Sequence, residues 1–193
     1  MKLLVATGNA GKLRELQALL DRFTLVRPVD VGLALEVVED RPDFEGNARK
    51  KAEAYAAASG LATLADDSGL EVDALGGAPG VHSARYAGAE GPGKDAANNA
   101  KLLGALQGVT NRRARFRCVL VAVHPDGSPW AQAEGRCEGR IGDALRGEGG
   151  FGYDPLFWPD DAPDRTMAEL TRDEKNALSH RGRATRTLAE ALR

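Results

Sequence analysis

The chain has 193 residues, 42% of them hydrophobic and 28% charged, enough to bury the core of one ordinary domain and too apolar for a disordered chain. Its 26 basic and 28 acidic residues give a net charge of −2, which argues against gripping nucleic acid by its phosphates but leaves room for a basic pocket around one small polyanion. No stretch approaches the roughly 18 apolar residues of a membrane span, and Gly8-Asn9 interrupts the N-terminal apolar run too early for a signal peptide. A cytoplasmic protein with no membrane and no nucleic-acid partner is expected.

Lys2 to Ala6 reads as a strand, followed by the polar turn Thr7-Gly8-Asn9-Ala10-Gly11-Lys12 and by Leu13, Leu16, Leu19, Leu20 and Phe23 at helical spacing. Strand, glycine turn and helix suit an anion, because unpaired N–H groups and the helix dipole face the turn. Lys12 adds a full positive charge. The turn is not a Walker A loop, since Ala6 and Leu13 stand where that pattern needs glycine and a hydroxyl. Strand-like stretches are predicted around Leu25 and from Leu33 to Val38. A helix is predicted from Phe44 to Ser59, with small alanines on the face that packs and Gly60 ending it.

Leu61 to Ala65 is read as a strand running into Asp66-Asp67-Ser68-Gly69, and Leu70 to Leu75 as another. Lys94 to Leu106 is a helix. Arg115 to Val123 and Trp130 to Ile141 form a hairpin turned at Pro125-Asp126-Gly127-Ser128. A glycine-rich segment, Gly147 to Pro155, leads to a short strand from Leu156 to Trp158. The C-terminal helix starts near Thr171, which forms a capping box with Glu174. Cys118 and Cys137 lack metal spacing and are expected to be reduced, buried thiols. The order of elements predicts an α/β fold: a mixed central β-sheet flanked by helices, in two lobes with an active-site cleft between them, forming one domain over residues 1–193.

The paired acids carry the first chemical signal. Neighbouring side chains on an extended strand point to opposite faces, so one of Asp66 and Asp67 can enter a pocket while the other supports it or reaches the same metal. Such a pair with no basic neighbour suggests Mg²⁺ or a charge-rich site. The glycines around Phe151 follow no strand and open no helix, which rejects a dinucleotide fingerprint. They allow backbone to approach a flat ligand, with Phe151 or Tyr153 stacking on it. Lys175, His180 and Arg181 concentrate donors, yet on an unbroken helix His180 would stand about 140° and Arg181 about 240° from Lys175. A helix break between Ser179 and Gly182, aided by that glycine, is therefore predicted.

The segments TGNAGKLREL, FEGNARKKA, LADDSGLEVDALGGAPGVHSARYAG, GGFGYDPLF and ELTRDEKNALSHRGRA occur in this order. Together they resemble the inosine/xanthosine triphosphate pyrophosphatase family over essentially the whole chain. The resemblance implies Mg²⁺-dependent cleavage of non-standard purine nucleoside triphosphates (ITP, dITP, XTP) between the α and β phosphorus atoms, releasing monophosphate and pyrophosphate, by a homodimer. It implies that Thr7, Gly8, Asn9 and Lys12 cradle the triphosphate. Asp67 activates water and holds metal, with Asp66 assisting and Ser68 contacting substrate. Glu39 corresponds to the second metal-binding acid, with Glu36 and Asp40 as competitors. Asn47 and Lys51 project from one helix face toward the same ligand. Phe151, beside Gly152 and Tyr153, stacks on the purine, and Asp154 orients the basic groups or accepts from the ring N–H. Arg181, with Lys175 or His180, donates to the 6-keto oxygen. Arg85 matches a position near the cleft or subunit interface, whereas His82 is expected to be structural. Gly46 departs from the family, which often has an acid there; the glycine forfeits half a capping box and about 1 kcal/mol of helix propensity. The alternatives are a Maf-like nucleotide pyrophosphatase for pyrimidine or modified nucleotides, and a nucleotide-binding regulator without turnover.

Overall fold

The computed structural model describes residues 1–192. Its strands are β1 (Lys2–Val5), β2 (Thr24–Val26), β3 (Thr63–Val72), β4 (Arg113–Val123), β5 (Pro129–Ile141) and β6 (Phe157–Pro159). Its α-helices are α1 (Ala10–Gln17), α2 (Phe44–Ser59), α3 (Lys94–Ala105), α4 (Arg172–Leu178) and α5 (His180–Ala191). The strands form one six-stranded sheet in the order β2-β1-β3-β4-β5-β6. β1 pairs in parallel with both β2 and β3, while β5 and β6 are antiparallel. The sheet is therefore mixed, as expected. Each parallel step needs a crossover; α1 supplies it between β1 and β2, and α2 lies between β2 and β3.

The chain divides into two compact units. The first comprises Met1–Asp67, Cys118–Gly135 and the C-terminal residues from Arg181; the second comprises Ser68–Arg117 and Arg136–His180. In the first, Leu3, Val5, Leu16, Leu20, Leu64, Leu120 and Leu188 form the core. Ala48, Ala52 and Ala56 of α2 are fully buried, so the helix packs through small side chains as its stripe predicted. Asp43 caps α2 and Gly60 closes it in the left-handed conformation, φ 65°. In the second unit Leu70, Val72, Leu102, Leu106, Phe116, Leu156 and Phe157 make the core. Cys118 and Cys137 are buried thiols, each in the core of a different unit. No helix among the described residues is long and apolar enough to cross a membrane.

Three expectations are corrected. The strands predicted at Leu61 to Ala65 and Leu70 to Leu75 are one strand, β3, which passes through Gly69 without a turn. Residues 33–38 form no strand. Along the segment Leu33, Leu35, Val37 and Glu39 are half-buried while Ala34, Glu36, Val38 and Asp40 are exposed. The segment is held by side chains of α2 instead of a strand neighbour: Tyr55 Oη donates to the Leu35 carbonyl at 2.5 Å and Lys50 Nζ reaches Asp40 at 2.8 Å. The predicted break before α5 exists, but Ser179 makes it, leaving helical geometry at ψ 156°. Gly182 lies inside α5.

Candidate active site

In the first unit the turn after β1 is closed by its own side chains. Thr7 Oγ1 accepts from the Asn9 N–H at 3.1 Å, and Asn9 Oδ1 accepts from the Gly11 and Lys12 N–H groups at 2.8 and 3.2 Å. Asn9 is thus the N-cap of α1. Two amides expected to meet a phosphate are already satisfied by it, and the positive charge of this turn resides in the Lys12 ammonium.

That ammonium binds Asp66 Oδ1. On Oδ2, Asp66 accepts from Arg181 Nε at 2.9 Å and from the Cys118 thiol at 3.1 Å. Arg181 Nη1 in turn meets Glu15, which α1 presents one helical turn after Lys12. The result is a chain of alternating charge, Glu15, Arg181, Asp66, Lys12. Burial alone would raise the Asp66 carboxyl, but Arg181 and Lys12 outweigh it and hold it well below the ordinary value. Burial likewise disfavours the Arg181 cation, and the nearby Asp66 and Glu15 charges more than restore it. Arg181 is only 1% exposed. This guanidinium, which the family resemblance assigns to the purine 6-keto oxygen, donates through Nε to Asp66 and through Nη1 to Glu15.

Asp67, the next residue of β3 and 5% exposed, belongs to a different group. Its Oδ1 lies 4.0 Å from Lys51 Nζ, which contacts Glu39 Oε1 at 2.5 Å and donates to the Asp66 carbonyl at 2.7 Å. Burial lifts Asp67 to about 6; Lys51 opposes the rise and Glu39 adds to it. For Lys51, burial favours the neutral form, but Asp67 and Glu39 prevail and raise its pKa. Of the three candidate acids, Glu39 is half-buried and in contact with Lys51, whereas Glu36 and Asp40 are exposed.

Helix α2 also aims Glu39. Asn47 Oδ1 accepts from the Arg41 N–H at 2.9 Å, anchoring the backbone just past Glu39. Asn47 is thus turned to protein backbone. Asp43 Oδ1 accepts from the Gly46 N–H at 2.7 Å, so half of the capping box survives without an acid at position 46. A Cβ at Gly46 would stand 2.9 Å from Arg41 Cβ. Glycine leaves room there for the segment that carries Glu39.

Among the described residues no three or more His, Cys, Asp or Glu side chains are grouped to hold a metal ion by themselves. Glu39 and Asp67 nevertheless fit Mg²⁺. They are two carboxylates around one ammonium, with Asp67 disfavoured as an anion, and Mg²⁺ commonly takes one or two protein carboxylates together with water and substrate phosphates.

The second unit holds the aromatic part. Asp154 Oδ2 accepts from the Phe151 N–H at 2.9 Å and from Lys175 Nζ at 2.7 Å. The same ammonium lies 4.5 Å from the centre of the Phe151 ring, within cation–π range. Gly150 (φ 73°) must be glycine, because a Cβ there would collide with the Asp154 carboxylate. Tyr153 is buried and donates to the Ser83 carbonyl at 2.7 Å, so it anchors the loop and is unavailable for stacking. Burial raises its hydroxyl pKa. His180 is buried and stacks on Phe116 at 4.8 Å. Ser68 is half-buried on β3, and His82 and Arg85 are exposed. The sequence reading did not single out Glu15, and it named Cys118 only as a buried thiol. Glu15 left a trace there, as an acid three residues after Lys12.

The fold is a mixed α/β sheet, with paired strand acids and two lysines in the first unit and an aromatic loop in the second. The chain matches the Ham1 family over residues 3–191 and belongs to that family. It is 48% identical over 228 residues to a dITP/XTP pyrophosphatase of Anaeromyxobacter dehalogenans, covering 100% of this chain and 97% of that one. To the dITP/XTP pyrophosphatase of Syntrophobacter fumaroxidans it is 56% identical over 184 residues, covering 94% of this chain and 78% of that protein. Among solved structures, a HAM1 protein from Coxiella burnetii superposes with a TM-score of 0.89 at 38% identity, covering 100% of this chain and 98% of the other. The nucleoside-triphosphatase, dITP/XTP pyrophosphatase, of Mycobacterium abscessus gives 0.78 at 46% identity, with 97% and 98% covered.

Proposed function

We propose that the protein is a Mg²⁺-dependent pyrophosphatase of non-standard purine nucleoside triphosphates, converting ITP, dITP and XTP to the monophosphate and pyrophosphate within one catalytic domain, 1–193. The observation that carries this reading is the Lys51 ammonium shared by Glu39 and Asp67, with Lys12 held by the adjoining Asp66. A triphosphate bears close to four negative charges, and its cleavage depends on concentrating positive charge around it and aligning water. Lys12 and Lys51 supply two such charges. Asp66, braced by Arg181, keeps Lys12 in place. Glu39 and Asp67 would hold Mg²⁺, which supplies charge neutralisation and a more acidic water when bound. Thr7, Gly8 and Asn9 shape the turn that presents Lys12, and Ser68 follows as a substrate contact.

The Phe151 ring suits the purine. Lys175, oriented by Asp154, offers a donor to the 6-keto oxygen of hypoxanthine or xanthine, whereas adenine would turn an amino group toward that donor. Leaving buried donors unpaired gives discrimination of about 10⁴. A homodimer and a cytoplasmic location complete the proposal, tested by light scattering and by cell fractionation.

The deciding experiment incubates the protein with Mg²⁺ and ITP, dITP, XTP, GTP or ATP and separates the products. Monophosphate and pyrophosphate from ITP, dITP and XTP are expected. A diphosphate with inorganic phosphate, or no turnover with retained binding, would replace this reading with a phosphohydrolase or a regulator.

A further inference from the structure

Helix α3 holds the loop that carries Phe151. Asp95 and Asn99, four residues apart, share one face of the helix. Asp95 Oδ2 accepts from the Gly152 N–H at 2.8 Å, and Asn99 Nδ2 donates to the Gly152 carbonyl at 2.9 Å. Both polar backbone groups of one residue are thus gripped by side chains of one helix. Gly152 has φ 63°, in the region that other residues rarely adopt, and the loop around it belongs to neither helix nor strand. Its geometry depends on this external grip. The residues it positions are Phe151 immediately before and Asp154 two places after, and Lys175 binds through both of them. Asn99 is buried and Phe151 half-buried, as befits a group that works on the loop from its buried side.

We propose that Asp95 and Asn99 are positioning residues for the purine: by locking the Gly152 peptide they hold the Phe151 ring and the Asp154–Lys175 pair in the arrangement that receives the base. They touch the loop, not the nucleotide. The inference rests on the reading that Phe151 stacks on the purine.

The test compares Asn99→Ala, Asp95→Ala, Asp95→Asn and Phe151→Ala with the unmodified protein. KM and kcat are measured with ITP and Mg²⁺, together with the inhibition constant of inorganic tripolyphosphate, which has the phosphates and no base. Loss of uniform binding predicts KM raised about tenfold in both positional alanine variants, with kcat within about threefold. The tripolyphosphate constant should stay within about twofold, since the change concerns only the base. Asp95→Asn keeps an acceptor for Gly152 and should restore KM to within about threefold of the unmodified value. If Phe151→Ala raises KM and the alanine variants do not, the positioning role is overturned while the stacking stands. A rise in KM and in the tripolyphosphate constant together would show general loosening and also overturn it. An unchanged KM in Phe151→Ala removes the stacking reading itself, and this inference with it. Should Asn99→Ala fail to fold, Asp95→Ala against Asp95→Asn decides the matter.

Discussion

The ammonium of Lys51 touches the carboxylate of Glu39 at 2.5 Å. The same ammonium is the near counter-charge of Asp67, so one lysine holds two acids of like charge together. Lys51→Met should lower kcat/KM for ITP by about 10² to 10³, the usual loss when a preorganised charge is removed from a developing anion. Asp67→Asn should reduce turnover at least as far while ITP binding remains measurable by calorimetry. Turnover within tenfold of normal in either variant would remove the assigned role.

The acidity of Asp67 sets a pH dependence. Burial first, and Glu39 in addition, bring it to about 6 against the pull of Lys51. Below that pH the metal-free protein carries the neutral acid, and Mg²⁺ must displace a proton to bind. The apparent Mg²⁺ constant for activity should therefore weaken about tenfold for each pH unit below 6 and level off above about 7. Glu39→Gln removes a like charge that favours protonation, so it should move this midpoint down while weakening binding at the plateau. Mg²⁺ titrations of ITP hydrolysis between pH 5 and 8 measure both effects, and a flat profile would exclude Asp67 as a ligand.

The buried chain from Glu15 to Lys12 predicts a stability effect. Arg181→Met leaves the Glu15 and Asp66 charges buried without their shared cation, which costs about 3–5 kcal/mol. For a chain of this size the melting temperature should fall by about 6–20 °C. Asp66 is depressed below its unfolded value of 3.8. Its contribution is therefore complete above that value and is lost as pH falls through the folded-state pKa. The gap between the two proteins should narrow in acid, where the orphaned carboxylates take up protons. Calorimetry at pH 7 and pH 4 tests this; an unchanged melting temperature at pH 7 would mean that the pair is dispensable.

Gly46 tests a departure from the family pattern. Helix propensity alone predicts that Gly46→Ala gains about 1 kcal/mol. The contact with Arg41 Cβ opposes it, because that atom is fixed to the backbone of the segment carrying Glu39. The expected result is no gain in melting temperature and a weaker apparent Mg²⁺ constant. A stabilised variant with normal Mg²⁺ affinity would show that the segment has slack.

Most of the fold was legible because its signals are local. Asp43, the alanine stripe and Gly60 defined α2, and the turn at Pro125 to Ser128 defined the β4–β5 hairpin. The misses arose where pairing depends on distant chain. Residues 33–38 read as a strand, but their side chains cannot say whether the segment finds a strand or a helix beside it. Gly69 looked like a bend because turn propensity ignores the neighbours that keep β3 straight.

Residue chemistry along the chain singled out Lys12, Asp66, Asp67 and Phe151 as candidates, since charge type, spacing and glycine placement are properties of the covalent order, while Lys51 and Glu39 were expected from the family resemblance. Folding alone decided the division of labour between the two neighbouring aspartates. Adjacent strand residues face opposite ways, so Asp66 met Lys12 and Arg181 while Asp67 met Lys51 and Glu39. Which cation waits on each face depends on how distant segments fold back, Lys12 54 residues and Arg181 115 residues from Asp66, and no local pattern encodes those distances.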